Sequence, residues 1–479
     1  MKLRSFFSSD AFKETGNWLI GLLAALAAML IFVQLSDTAM WRDEMQTWVI
    51  ARDAGSLGAL WKELGYEGFP PLWFFITKAV QLLTDNPSSM LFLHGAIACL
   101  NLFLIWRYAP FPFWVRGLLL LSYPLTVQYA LFSRCYAITI TFLMAALIAR
   151  DKGKTFLYWL FLGLGGQATL LGLNIACGLA FQRFLLGPKK LWQEWKGVTL
   201  FCAFVLFAII VAWPAPDRLL TDDIAKNASV LGFFAKSMTL FSGPFTGTST
   251  VGVGVTCLLV LLGLGVALWR WRSLAAFAAI LASFLFVDQI GYPLIQHHLL
   301  LLPLALVFVI WQEPRPTLLV QNGAMVLLLA VLALMGVDRL ADFTQPVPRS
   351  QSRNVAGWIK ENRLDQAFWI AVPDYTAVPV SGYLGRKFYF PQCKCERGAP
   401  RWSKNSDKVP ALTTALAQAK EVMEERGLHE AYLLLGNVWS EQEQARSRLP
   451  EGMKAELLRA FAPSQFPDES YQVVRLQRE

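Results

Sequence analysis

Long apolar runs recur along most of this chain and point to a membrane protein. Hydrophobic residues make up 55% of its 479 residues, and charged residues only 16%. A soluble protein of this length needs more polar surface to stay dissolved. Many runs approach the length that crosses the hydrocarbon core, and Trp, Tyr or Phe flanks them as at a membrane interface. The sequence therefore predicts a polytopic α-helical membrane protein.

The Lys and Arg residues predict the orientation of the chain. The formal net charge is +9, and many of the cations lie in short loops between apolar runs, as topology signals do. Lys2, Arg4 and Lys13 precede a first apolar run over Trp18–Leu35, which predicts a retained first helix and a cytoplasmic N-terminus. No basic groove interleaved with aromatic residues is present, so nucleic acid is not an expected partner.

The predicted threading has about eleven crossings. It gathers the loop cations on the inner side if the segment Leu72–Leu83 does not cross. That segment is only about a dozen residues long, which suits a helix lying in the interface. Residues 36–88 then form the first external loop. The crossings are placed at residues 18–35, 89–106, 117–131, 137–149, 156–186 (twice, with a turn near 165–172), 198–213, 251–268, 275–290, 299–310 and 318–337.

The chain changes character near Asp338, where polar helical stretches begin to alternate with short β-rich runs. This pattern predicts a membrane domain over residues 1–337 and a small α/β domain over residues 338–479. The threading places the second domain outside the cytoplasm, where Cys393 and Cys395 are able to form a disulfide. Strands are expected at residues 368–372, 387–390, 431–435 and 471–476, and helices at 354–361 and 412–426.

Two adjacent acids, Asp43 and Glu44, lie a few residues beyond the outer end of the first helix. A carboxylate there is suited to take a proton from an acceptor hydroxyl or to hold a divalent metal. The alternative is a pair of solvated charges at a helix N-terminus, where acids are favourable. The sequence does not decide between these roles, and it fixes no metal-ligand spacing.

Two further outer segments carry candidate phosphate-binding groups. Arg134 and Tyr136 lie in one of them, and an Arg on the side that the inner charge bias disfavours indicates function. This guanidinium would clamp a phosphate, and the tyrosine would hydrogen-bond it; the alternative is an interfacial anchor. The other segment, residues 292–298, ends in His297 and His298. We expect these rings to point in different directions, with one of them facing a phosphate or a leaving group, unless both are interface residues.

The order of these motifs resembles the GT-C glycosyltransferases, in particular the protein O-mannosyltransferase and aminoarabinose-transferase branch. Asp43-Glu44 followed by Gly68-Phe69-Pro70-Pro71-Leu72 is similar to the first external loop of that family. Ser133-Arg134-Cys135-Tyr136-Ala137 resembles its S-R-x-Y-A segment, and His298-Leu299-Leu300-Leu301-Leu302-Pro303 resembles its late helix start. The stretch Ala137–Leu143 departs from the pattern because it contains no acid.

This resemblance implies a polyprenyl-phosphate-linked sugar as donor, and a lipid, glycan or protein of the cell envelope as acceptor. It implies no nucleotide and no certain cofactor, although a divalent metal stays open. Asp43 would be the base and Glu44 its acidic neighbour, with inversion at the anomeric carbon. Arg134, Tyr136 and His297 or His298 would hold the departing lipid phosphate. The implied location is the inner (plasma) membrane of a bacterium, among membrane lipids, with the C-terminal domain in the periplasm.

A lipid or glycolipid transporter is the alternative function. Transporters favour charges at the middle of the membrane and broken helices at related positions of two halves. Here the charges lie mostly at predicted helix ends, and no internal repeat is visible.

Overall fold

The first helix already has the surface of a membrane span. The computed structural model describes residues 10–219, 232, 270–291, 294–314, 323–342, 347–404, 409–437 and 449–479. In helix α1, Asp10–Asp37, a stripe of large apolar side chains faces outward while Ile20, Ala24 and Ile31 are buried. An outward apolar stripe suits lipid rather than water. It consists of Trp18, Leu22, Leu26, Met29 and Val33.

Four helices among the described residues are long and apolar enough to cross a membrane, namely Glu14–Asp37, Ser89–Tyr108, Trp195–Ala212 and Trp271–Gln289. Two shorter apolar helices are Leu170–Leu186 and His297–Trp311. The predicted count of about eleven crossings is therefore not confirmed. The predicted crossing 251–268, part of 318–337, and Tyr292 and Pro293 lie outside the described residues.

Several predicted crossings are broken or short helices. The stretch 117–131 is divided into a helix, a π-helical turn that starts at Pro124, and a last short turn, because proline cannot continue the hydrogen-bond ladder of a helix. The region 156–186 is interrupted where Thr169 is extended, within the predicted turn. The helices after α1 are α2 Arg42–Asp53, α3 Leu57–Glu67, α4 Leu72–Gln81, α5 Ser89–Tyr108, α6 Phe113–Leu121, α7 Tyr129–Leu131, α8 Tyr136–Asp151, α9 Thr155–Ala168, α10 Leu170–Leu186, α11 Pro188–Leu191, α12 Trp195–Ala212, α13 Trp271–Phe286, α14 Gln296–Leu299, α15 Leu301–Trp311 and α16 Gly323–Asp342.

Polar contacts join the C-terminal ends of several membrane helices at one end of the bundle. Arg150 of α8 donates through Nη2 to the carbonyl of Trp311 at 2.8 Å, and Trp311 Nε1 donates to Asp151 at 2.9 Å. Lys152 lies over the ring of Tyr108, with Nζ 4.4 Å from the ring centroid. The predicted inner loop cations at 107 and 150–154 thus lie near one another, as one membrane face requires.

The C-terminal part forms a six-stranded sheet in the order β3-β2-β1-β4-β6-β5. Strands β2, β1 and β4 are parallel, and the remaining pairs are antiparallel. Alternate residues of the parallel strands face two separate cores, so helices cover the sheet on both sides. Its elements are α17 Ser352–Glu361, β1 Trp369–Val372, α18 Asp374–Leu384, β2 Phe388–Phe390, β3 Cys395–Arg397, α19 Leu412–Glu425, β4 Glu430–Gly436, β5 Met453–Phe461 and β6 Tyr471–Arg478. Cys393 and Cys395 are joined by a disulfide.

Helix α2 lies between the membrane helices and the C-terminal domain. Gly382 of α18 packs directly on Met45, since a Cβ at this glycine would stand 2.3 Å from the methionine sulfur. Arg52 donates to the carbonyl of Ser381 at 2.9 Å, and the backbone amide of Arg42 donates to Glu469 at 2.8 Å. The contacts of Arg42 and Met45 hold the start of α2, where the predicted acidic pair lies, and the contact of Arg52 holds its last turn.

Candidate active site

The acidic pair occupies the first turn of α2. Asp43 and Glu44 follow Trp41, whose backbone amide donates to Glu44 Oε2 at 3.0 Å. Acids are favourable here because the unpaired amides and dipole of a helix N-terminus attract negative charge. The ring of Trp41 stacks on Phe466 of the C-terminal domain, with 4.4 Å between centroids. The helix start is therefore fixed from both sides, and the two neighbouring acids point to different places.

Glu44 is fully buried and connects three segments. Its Oε1 accepts from the backbone amide of Ser133 at 2.6 Å and lies 3.7 Å from Nη2 of the buried Arg349. Burial raises the pKa of this carboxyl, and the Arg349 charge and two backbone amides oppose that rise. Among the described residues, those lining the cavity around Asp43 do not include Glu44. Glu44 therefore links α2 to the Ser133–Arg134 segment.

Arg134 brings the predicted acid and histidine segments together. Its Nη1 donates to Asp43 Oδ2 at 2.6 Å and lies 3.4 Å from His297 Nε2. These three residues are far apart in sequence, and each was predicted on a separate outer segment. An arginine held in this way presents a positive charge with fixed geometry, which suits a phosphate or another oxyanion.

The two histidines lie side by side, contrary to the expectation that they diverge. Their ring centroids are 4.0 Å apart, and both line the same cavity. The reason is local: His298 Nδ1 accepts from the backbone amide of Ile295 at 3.1 Å, which turns this ring back towards His297. Tyr129 fixes the backbone of the pair by donating to the carbonyl of His297 at 2.6 Å.

Tyr136 supports this group from behind. Its ring lies 5.9 Å from the His297 ring and 6.1 Å from the His298 ring, and the Arg134 guanidinium lies 5.6 Å from its centroid. A ring face near a guanidinium adds cation–π attraction. Tyr136 is buried and orients Arg134 and the histidines through its ring.

Asp43, Arg134, His297 and His298 line one cavity of about 380 Å³. Part of its wall comes from the chain beyond α12, where the backbone amide of Leu219 donates to the carbonyl of Trp402 at 2.9 Å. The C-terminal domain thus contributes to the same space. Further lining residues are acidic or amide (Glu67, Gln46), cationic (Arg218) and aromatic (Tyr66, Phe69, Trp73, Phe74, Trp402).

Glu67 is an acidic cavity residue that the sequence reasoning missed. It ends helix α3, and both carboxylate oxygens accept from Gln46 Nε2 at 2.9 Å. Burial raises its pKa to about 7. The available signal was its position beside the Gly68–Leu72 motif, but one acid in an amphipathic loop gives no period that marks it. Only the fold brings it near Asp43.

Metal binding has no preformed ligand group in the described part of the chain. Over those residues, no three His, Cys, Asp or Glu side chains are grouped so that they could hold an ion. The side chains facing the cavity instead combine carboxylates, guanidinium groups and imidazoles. Such a set is suited to bind an anion and to accept a proton.

One solved structure has a similar course. The structure is similar to the crystal structure of ArnT from Cupriavidus metallidurans in the apo state, with a TM-score of 0.43 and 14% sequence identity. The match covers 96% of this chain and 97% of that chain. No protein-family model and no curated protein matches the sequence.

Proposed function

We propose that this protein is a membrane glycosyltransferase that moves a sugar from a polyprenyl-phosphate donor to an acceptor hydroxyl of the cell envelope. The observation that carries the proposal is the convergence of Arg134, His297 and Asp43 in one cavity. A cation beside imidazoles suits a departing phosphate, and a carboxylate within the same cavity suits an acceptor proton. The resemblance of the loop motifs to GT-C enzymes supplies the substrate class.

The reaction begins with the donor phosphate against Arg134 and the histidine pair. Two carboxylates, Asp43 and Glu67, face the cavity, and one of them takes the proton of the acceptor hydroxyl. The hydroxyl oxygen attacks the anomeric carbon as the bond between that carbon and the phosphate oxygen breaks. The electron pair leaves with the polyprenyl phosphate, which Arg134 stabilises, and the sugar is inverted.

The aromatic part of the wall suits a sugar and a lipid. Trp73, Phe74 and Trp402 line the cavity together with the charged groups. Flat rings bury the apolar faces of a sugar, and they keep water from the reacting carbon. We place this cavity at the outer face of the inner membrane, with the C-terminal domain on the same side, because the inner loop cations lie at the other helix ends.

A transfer assay in detergent separates this proposal from a flippase. Purified protein is incubated with a labelled polyprenyl-phosphate sugar and with lipid, glycan and protein fractions of the envelope. The proposal predicts label in a new glycoconjugate, because bond exchange needs no membrane. Label that stays on the donor in detergent but changes leaflet in vesicles would instead support a transporter.

A further inference from the structure

The Glu67 carboxylate is hydrogen-bonded in the cavity by a neutral amide. Gly68, at φ +71°, ends helix α3, and a side chain there would meet the Arg218 guanidinium 2.5 Å from its Cβ. The Glu67 side chain accepts two hydrogen bonds from the Gln46 amide, while Arg218 Nη2 donates to the Glu67 backbone carbonyl at 3.3 Å. The carboxylate is thus fixed in direction by an amide.

Asp43 has the opposite surroundings. Its Oδ2 accepts from Arg134 Nη1 at 2.6 Å, and its Oδ1 lies 3.7 Å from Arg42 Nε. Both oxygens therefore face guanidinium groups. This arrangement suits a residue that orients Arg134 towards an anion.

We infer that Glu67 is the catalytic residue that takes the proton of the acceptor hydroxyl, and that Asp43 is the positioning residue for Arg134. The inference rests on the proposed glycosyl transfer and assigns its proton acceptor. As the oxygen–carbon bond forms and the carbon–phosphate-oxygen bond breaks, the proton passes to a Glu67 oxygen. Gln46 keeps that carboxylate aimed at the cavity before transfer, and the proton leaves to water afterwards.

The charges around Glu67 agree with this role. Burial is the largest cause that raises its pKa to about 7; Gln46 and Arg218 lower it, and Glu63 and Asp43 raise it. A general base works best when its pKa lies near the operating pH. The other titratable and charged groups on the same cavity are Tyr66, Arg134, Cys135, His297 and His298.

The test compares pH profiles of kcat/KM for purified protein in detergent, with a labelled polyprenyl-phosphate sugar and the acceptor fraction that accepts label. The wild-type profile is expected to rise with pH and to level off above about 7, because Glu67 must lose its proton to act. Glu67→Gln is expected to lower kcat by about 100-fold or more and to remove this rise.

Two further variants test the division of roles. Asp43→Asn is expected to raise the KM for the donor and to keep the rise near pH 7, because Arg134 loses its partner while Glu67 stays. Gln46→Met is expected to shift the rise to higher pH, since this variant lacks the hydrogen bonds from the Gln46 amide that favour the charged Glu67 carboxylate. A Gln46→Met profile that does not move would overturn the role of Gln46 in holding the Glu67 carboxylate.

Lys62→Gln is the matched control, because this exposed residue lies on the same helix and away from the cavity. It is expected to keep the wild-type rate and profile. A Glu67→Gln protein that retains the rise or the wild-type kcat overturns the inference and leaves glycosyl transfer intact. A wild-type protein that transfers no sugar from any fraction overturns the proposed function itself.

Discussion

Arg134 is a half-buried cation between an acid and an imidazole. Its hydrogen bond to Asp43 and its approach to His297 fix the guanidinium in the cavity. A planar guanidinium with two available edges binds a phosphate with defined geometry, whereas a lysine ammonium is a point charge. We therefore propose that Arg134 is the main side chain that binds the departing phosphate.

Arg134→Lys is expected to weaken transfer although the charge is kept. A lysine ammonium cannot make the bidentate contact that a guanidinium makes with a phosphate. We therefore expect a fall in kcat/KM of about 100-fold. Initial rates over a donor concentration series measure this change. Arg107→Lys is a control in which an arginine predicted on the opposite face is altered in the same way. Equal rates for Arg134→Lys and wild type would contradict the phosphate assignment.

The sequence predicts several of the cavity residues and misses Glu67. Asp43, Arg134 and the histidine pair were predicted because a charge beside an apolar run stands out and because the motif order resembles a family. Glu67 did not stand out, since its loop holds other charges and since its partner Gln46 is polar but neutral. The burial that raises its pKa comes from packing between helices distant in sequence, which no local pattern encodes.

The length and the contacts of helix α4, Leu72–Gln81, bear on the predicted threading. The helix has 10 residues, which corresponds to about 15 Å and is near half of the hydrocarbon thickness. Lys78 Nζ donates to the carbonyl of Ala51 at 2.7 Å, so the helix is tied to α2 of the external loop. These facts favour the prediction that it lies at the interface and does not cross.

Cysteine labelling checks this topology. Lys62→Cys on helix α3 and Leu82→Cys directly after helix α4 place thiols at exposed positions before and after helix α4. Both are expected to react with a membrane-impermeant maleimide in intact spheroplasts, while the exposed Lys189→Cys reacts only after the membrane is opened. If Lys62→Cys and Leu82→Cys react from opposite sides, the helix crosses and the threading is wrong.

The C-terminal elements were predicted in part. Strands near 368–372, 387–390, 431–435 and 471–476 and the helices near 354–361 and 412–426 all have counterparts. Helix α18 was missed because Pro379 interrupts its pattern. Strand β5 was missed because its Ala, Glu, Leu and Lys residues favour helix, and pairing with β6 overrides that preference. At this edge strand, pairing with β6 therefore outweighs the helical propensity of the residues.

At the scale of the whole molecule, the two parts of the chain share one site. The membrane part supplies Arg134 and the histidines, the external loop supplies Asp43 and Glu67, and the C-terminal part adds Trp402. Buried Arg349 ties these parts together because it lies beside Glu44 and donates to the carbonyl of Leu131 at 2.9 Å. We therefore expect the C-terminal domain to be required for glycosyl transfer.

Glycosyl transfer from a polyprenyl-phosphate donor is tested most directly by measuring the lipid product. Purified protein in detergent receives a donor labelled separately in its sugar and in its phosphate, and both labels are followed by chromatography. The account predicts one polyprenyl phosphate released for each sugar transferred, because the bond between the anomeric carbon and the phosphate oxygen breaks. Phosphate label in the glycoconjugate, with free polyprenol as the lipid product, would contradict it.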